Sequence, residues 1–205
     1  GLYFWTVDAL PLANAMTLQF TAPLLIPPLA TVVLGERTGA VGYVGVATAV
    51  AGAALTAAPD IDAFGPAAAV GLASATLGAG LAVHAKAMTN AGENLVVMAF
   101  HFTWVGAAAW GAWVFASGQW SQPDPGGWAA LAVAGALGTG AQVFVFGAYK
   151  HLPSALFAAL KLAPLPLSVA VGYAAFGEVP ASVALLGIAL VAGGCLAASL
   201  ESPQA

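Results

Sequence analysis

Long apolar runs separated by short polar or proline-rich clusters set the pattern of this chain. The runs cover residues 12–34, 39–58, 66–85, 95–117, 127–149, 153–176 and 181–199. Each approaches or exceeds the roughly 20 residues that a helix rising about 1.5 Å per residue needs to cross about 30 Å of hydrocarbon. The pattern predicts an all-α integral membrane protein, a polytopic helix bundle with seven full spans. Residues 1–7, GLYFWTV, are equally apolar but too short to cross. With no basic leader and no cleavage site before the next span, they read as the end of an eighth span that starts outside the chain rather than as a signal peptide.

Two pairs of these runs are versions of one pattern. A shift of 142 positions lays Leu10-Pro11 on Leu152-Pro153, Ala13 on Ala155, Leu18 on Leu160, Gly35-Glu36 on Gly177-Glu178, Gly45 on Gly187 and Gly52 on Gly194. The shared Leu-Pro and Gly-Glu pairs carry the weight, because matches are cheap in a chain this rich in Ala, Gly and Leu. Loop charges orient the copies. Asp8, Asp60 with Asp62, Asp124 and Glu178 fall on one side, and Glu36 with Arg37, Lys86 with Glu93, and Lys150 with His151 on the other. Positive charge marks the cytoplasmic face, so the second side, with the C-terminus, is cytoplasmic. Trp120 and Trp128 bracket an outer loop at interfacial depth, while Trp104, Trp110 and Trp113 read as packing residues.

Glu36 and Glu178 then face opposite surfaces, which makes the copies inverted five-helix repeats. The first repeat closes in residues 1–58 with the end of span 3 and spans 4 and 5. The second fills 66–199 with spans 6 to 10, and 200–205 is a cytoplasmic tail. The same shift starts the first repeat about 76 positions before Gly1, so this chain is read as seven full spans plus a remnant of a ten-span fold.

Composition decides the solvent. The chain is 61% hydrophobic with mean hydropathy +0.93, and 6% of it is charged, against roughly 25% in a soluble domain. Four Lys plus Arg and a net charge of -4 exclude a surface able to neutralise a phosphate backbone, so nucleic acid is not a partner. The single cysteine, Cys195, has no partner for an internal disulfide and reads as a small core residue.

Candidate chemistry sits inside the spans. The stretch TAPLLIPPLATVVLGER, residues 21–37, carries Pro23, Pro27 and Pro28, and the partner span carries Pro164 and Pro166. Each proline lacks a backbone donor, frees a carbonyl and bends its helix. In lipid a freed carbonyl persists only where protein or a water-filled cavity satisfies it, so Pro23 and Pro164 are read as lining a substrate path. The plainer reading is that membrane helices are simply rich in proline.

Lys161 stands eight residues into its span, about 12 Å deep by helical rise. An intramembrane lysine costs on the order of 2.5 to 3.5 kcal/mol on insertion scales. Either the side chain snorkels to the cytoplasmic interface or a polar site surrounds it. Its partner under the shift is Gln19, and Asn14 and Thr17 extend the polar face of that helix. Symmetry-related polar groups near the midplane are where inverted-repeat carriers hold cargo. A cationic Lys161 would favour a carboxylate or phosphate on the cargo, or pair with a carboxylate outside this chain.

Glu36 and Glu178 each follow a glycine suited to the left-handed position that closes a helix, and each is either a helix-end residue or a group for gating or proton coupling. His101 lies within its span and is either a proton relay or a hydrogen-bonded packing residue. No pair of His has metal-ligand spacing, and no nucleophile and base stand together, so neither a metal, a cofactor nor an enzymatic activity is expected. Small residues every four positions, at Gly45 with Ala49, Gly71 with Ala75 and Ala79, and Ala132 with Ala136 and Gly140, together with Gly193-Gly194, supply smooth faces for helix packing or for a homodimer.

A family resemblance rests on two stretches. LPLANAMTLQFTAPLLIPPLATVVLGER, with the Gly-rich span after it, resembles the close of the first repeat in the drug/metabolite transporter superfamily, EamA type. AYKHLPSALFAALKLAPLPLSVAVGYAAFGEVPASVALLGIALVAGG resembles the close of the second. The resemblance covers essentially the whole chain and is most specific at Gly35-Glu36 and Gly177-Glu178. It implies a ten-helix inner-membrane carrier, N-terminally truncated here, with a central cavity and alternating access. It names no cargo, because the superfamily moves amino acids, nucleotide precursors, vitamins, sugars and drugs. Members often hold an acidic or amide residue mid-span where this chain has Lys161.

The expected function is a secondary transporter moving a small polar metabolite across the cytoplasmic membrane around a midplane site, with that small-molecule substrate and the lipid bilayer as partners. The alternative is a non-transporting membrane scaffold or assembly partner. It would share the hydropathy and the small-residue faces, but would not need matched polar groups in inverted copies.

Overall fold

The computed structural model describes residues 2–58, 65–118, 120–177 and 181–201. They fold as helices α1 (Leu2–Ala9), α2 (Leu12–Gln19), α3 (Ala22–Leu34), α4 (Ala40–Ala57), α5 (Ala67–Asn90), α6 (Leu95–Ala116), α7 (Pro125–His151), α8 (Ser154–Leu160), α9 (Pro164–Phe176) and α10 (Ser182–Ser199). With α2 joined to α3 and α8 to α9, these helices give seven stretches long and apolar enough to cross a membrane. Large apolar side chains such as Phe100, Val105, Leu137 and Phe144 lie exposed along α6 and α7. Water would penalise apolar surface of that extent, whereas hydrocarbon does not. The chain is a multi-pass helical membrane protein. Trp104, Trp110 and Trp113 belong to the exposed face as well, which corrects their reading as packing residues.

The two proline-bearing spans are broken rather than merely bent. Pro23 and Pro164 cannot donate to the carbonyls four residues back, and the chain tightens just before each of them. Thr21 N–H donates to the Leu18 carbonyl at 3.1 Å, and Ala163 N–H donates to the Leu160 carbonyl at 3.0 Å. Pro27 and Pro28 do not interrupt their helix and lie inside continuous α3. There the Thr31 hydroxyl donates to the Pro27 carbonyl at 3.0 Å.

Helix boundaries keep the register of the sequence repeat. α2 and α8 start at Leu12 and Ser154, α3 and α9 at Ala22 and Pro164, α4 and α10 at Ala40 and Ser182. The half-helices α3 and α9 are each followed by a left-handed glycine, Gly35 at φ 70° and Gly177 at φ 69°. A Cβ at Gly35 would meet nothing within 4 Å, so the cost of Gly35→Ala is backbone strain alone, about 1 to 2 kcal/mol. Thermal denaturation in detergent should show a correspondingly modest loss of stability.

The described residues divide into two compact units, one of Gly1–His84 with Leu152–Ala205, the other of Ala85–His151. The heart of the first is the pairing of α4 with α10. A Cβ on Gly45 would lie 2.7 Å from the Ala198 nitrogen and 2.8 Å from the Gly194 carbonyl, while one on Gly52 would lie 2.5 Å from the Gly187 carbonyl. Contacts that climb α4 as they descend α10 mean antiparallel helices. Because α4 and α10 are repeat counterparts, the two copies run in opposite senses. Gly45, Ala49 and Gly194 are thus consumed by packing within the chain, since small residues let helix backbones approach.

In the second unit α6 packs against α7, with Phe102 and Tyr149 both set against the Phe146 ring. Asn94 caps α6, its side-chain oxygen accepting from Val96 N–H at 2.9 Å. Asp124 accepts from Gly127 N–H at 2.7 Å ahead of α7. At that end Trp120 stacks on Phe115 at 4.7 Å and stands 6.4 Å from Trp128. Lys86, Lys150 and His151, read as loop charges, lie within α5 and α7. Lysine is a good helix former and does not stop a helix; the stops come from Gly92, at φ 88°, and from Pro153.

Candidate functional site

The two helix breaks put polar residues at equivalent points of the first unit. Gln19 is the last residue of α2, and Lys161 caps the C-terminal end of α8, its N–H bonded to the Phe157 carbonyl at 3.1 Å. Helix ends matter chemically because their last carbonyls and first N–H groups lack partners in the helix. At each break the C-terminal end of one half-helix meets the N-terminal end of the next, so opposite partial charges lie side by side within the hydrocarbon depth. Lys161 is itself exposed at the break.

Gln19 is positioned by a residue the sequence analysis did not single out. Its Nε2 donates to Ser74 Oγ on α5 at 2.8 Å. That bond leaves the amide oxygen of Gln19 to act as an acceptor, and it orients the amide from a second helix. The Ser74 stretch, LASATLGAG, showed only small residues, and a lone Ser there has no periodic signal. Close approach of α5 is permitted by Gly71, where a Cβ would fall 2.5 Å from Leu18 Cδ1 and 3.1 Å from Thr6 Cγ2.

The other predicted positions divide by environment. Asn14 is fully buried at 0% exposure on the same short helix as Gln19, so its amide belongs to the packed wall beside the break. The Thr17 hydroxyl donates to the Ala13 carbonyl at 2.8 Å, which commits its proton to its own helix. Pro23 is buried in the first turn of α3, and Pro164 is the exposed first residue of α9. α2 packs against α1 and α4, α8 against α3, α4 and α10. Gln19 and Lys161 therefore terminate helices that share α4 as a neighbour.

Glu36 holds a contact at the far end of α3. Its Oε1 accepts from Ser154 N–H at 2.6 Å and its Oε2 from the Ser154 hydroxyl at 2.7 Å. Both oxygens thus meet the start of α8, 118 residues away in the chain. Glu178 lies outside the described residues. His101 belongs to the second unit, exposed on α6, with Nδ1 2.9 Å from the Val97 carbonyl. A carbonyl can only accept, so Nδ1 carries the hydrogen in this contact. Among the described residues no group of three or more His, Cys, Asp or Glu could hold a metal ion.

No family model matches the chain. Over 203 residues it is 25% identical to the pseudopaline exporter of Pseudomonas aeruginosa, covering 96% of this chain and 69% of that protein. Over 193 residues it is 30% identical to a riboflavin transporter of Rhizobium johnstonii, covering 93% of this chain and 63% of that protein. The chain thus spans about two thirds of the length of these relatives. A protein of solved crystal structure shares the fold, with TM-score 0.77 and 23% identity over 97% of this chain and 72% of that one.

Proposed function

We propose that this chain forms most of a secondary transporter of the EamA-type drug/metabolite class, moving a small polar metabolite across the cytoplasmic membrane by alternating access. The observation that carries the reading is the pair of broken helices, α2–α3 and α8–α9, in inverted copies with a polar residue at each break. A helix-packing scaffold has no need of two such defects, each of which forfeits backbone hydrogen bonds within lipid. A carrier uses them, because half-helix ends and the side chains beside them can replace the hydration shell of a cargo. The relatives named as an exporter and a transporter support the same class.

In this reading Lys161 binds an anionic group of the cargo, Gln19 accepts from it, and Asn14 with Thr17 forms the wall behind. Pro23 and Pro164 keep the breaks open. The loop charges support a topology with residues 35–39 and the C-terminus on the cytoplasmic side of the inner membrane. The protein acts as a carrier and not as an enzyme.

The test is uptake into vesicles containing the full-length protein, offered a panel of amino acids, vitamins and nucleosides. Saturable flux of one cargo class is expected. A folded protein that moves none of a broad panel would overturn the carrier in favour of a membrane scaffold.

A further inference from the structure

The four half-helices are packed unequally. Among the described residues α8 is seated against α3, α4 and α10, whereas its counterpart α2 packs on α1 and α4 and is hydrogen-bonded to α5 through Gln19, and α9 packs chiefly on α10. Ala30 on α3 and Ala158 on α8 lie at 0% exposure. α3 therefore packs on α8, while the counterpart pair of α2 with α9 shows no packing of that extent among the described residues.

One contact spans the α3–α8 pair. Glu36 lies just beyond α3, and both its carboxylate oxygens accept from Ser154, the first residue of α8. Ser154 is 1% exposed, so water competes little for either bond. Both bonds are charge-assisted, the stronger kind. The corner between α3 and α4 is held from the other side as well, because Gly39 N–H donates to the Glu201 carboxylate beyond α10. The corner after α3 is thus tied both to Glu201 beyond α10 and to the start of α8.

The hydroxyl half of this contact has no counterpart in the other repeat. Under the 142-residue shift Ser154 falls on Leu12, which has no hydroxyl to offer. From the bidentate contact, its burial and the unequal packing, we infer that Glu36 and Ser154 form a latch that holds α3 against α8, and that its release opens the path from the side of residues 35–39. Resting on the carrier reading, the inference gives that carrier a preferred resting state, closed on this side. Glu36 and Ser154 are positioning residues for the gate and do not touch cargo.

The test is thiol labelling of the full-length protein in native membranes, with Cys195→Ser as background and a membrane-impermeant maleimide applied from the side of residues 35–39. Ala30→Cys reports on α3, and Ala53→Cys, fully buried on α4, reports on the fold. Glu36→Gln or Ser154→Ala should speed labelling at position 30 about ten-fold, the change expected for losing one charge-assisted hydrogen bond, while position 53 stays unlabelled. Unchanged labelling at position 30 would overturn the latch, and so would an equal rise at both positions, which marks general loosening. Labelling needs no cargo, so the latch is judged separately from the flux that tests the carrier.

Discussion

Gly194→Leu is expected to disrupt the α4–α10 crossing, while the same change at the adjacent Gly193 is tolerated. A Cβ on Gly194 would stand 2.5 Å from the Ala49 nitrogen and 2.5 Å from the Gly45 carbonyl, both backbone atoms that cannot turn aside. The helices would have to separate along their length. Overpacking a tight interface costs about 1 to 3 kcal/mol in ordinary cores, and a backbone-to-backbone contact belongs at or above the upper end. A Cβ on Gly193 meets nothing within 4 Å, and a leucine there would simply add to an apolar surface. Size-exclusion profiles and thermal denaturation in detergent should show Gly194→Leu aggregated or strongly destabilised and Gly193→Leu near wild type. Gly52→Leu should behave like Gly194→Leu, because its Cβ would stand 2.5 Å from the Gly187 carbonyl. Equal tolerance at positions 193 and 194 would mean that α4 and α10 do not cross as described.

Lys161→Ala is expected to abolish most transport while leaving the fold intact or slightly firmer. An ordinary buried pair loses stability when one partner is removed, but an intramembrane lysine costs on the order of 2.5 to 3.5 kcal/mol on insertion scales, so its removal relieves the bilayer of a charge. Its worth to a carrier lies in the cargo. A hydrogen bond to a charged group contributes roughly 1.5 to 3 kcal/mol, which corresponds to about a ten- to hundred-fold loss of saturable flux at limiting cargo. Gln19→Leu should weaken cargo binding through the lost acceptor. Ser74→Ala should do so less, since it only releases the amide that Ser74 orients at 2.8 Å. Flux measured beside thermal stability separates the possibilities: transport that survives Lys161→Ala would sink the site, and a collapse in stability would mean that Lys161 is a structural residue.

Much of the architecture was legible along the chain because a bilayer leaves few options. Backbone groups in lipid must be satisfied within the segment, so an apolar run of sufficient length is a helix and its ends follow the polar clusters. The seven spans, and the repeat pairing Leu10-Pro11 with Leu152-Pro153 and Gly35 with Gly177, all follow from local residue order. The left-handed glycines fall where a helix must stop, and Pro23 and Pro164 mark the two breaks, because proline and glycine act on their own backbone.

Which groups meet could not be read that way. Nothing in the order of residues joins Glu36 to Ser154 across 118 positions, or Gln19 to Ser74 across 55. Gly193 and Gly194 are adjacent and chemically identical, yet only Gly194 lies against another backbone. Residues along a helix share its environment only in part, since a step of about 100° carries one neighbour into a contact and the next into lipid. The sequence by itself determined the solvent, the number of spans, the repeat and the points where helices break, because these depend on hydrophobic length and local backbone chemistry. Only the tertiary structure decided which glycine is indispensable, which serines support the polar residues and which half-helices pack together, because those depend on how helices distant in sequence cross in space.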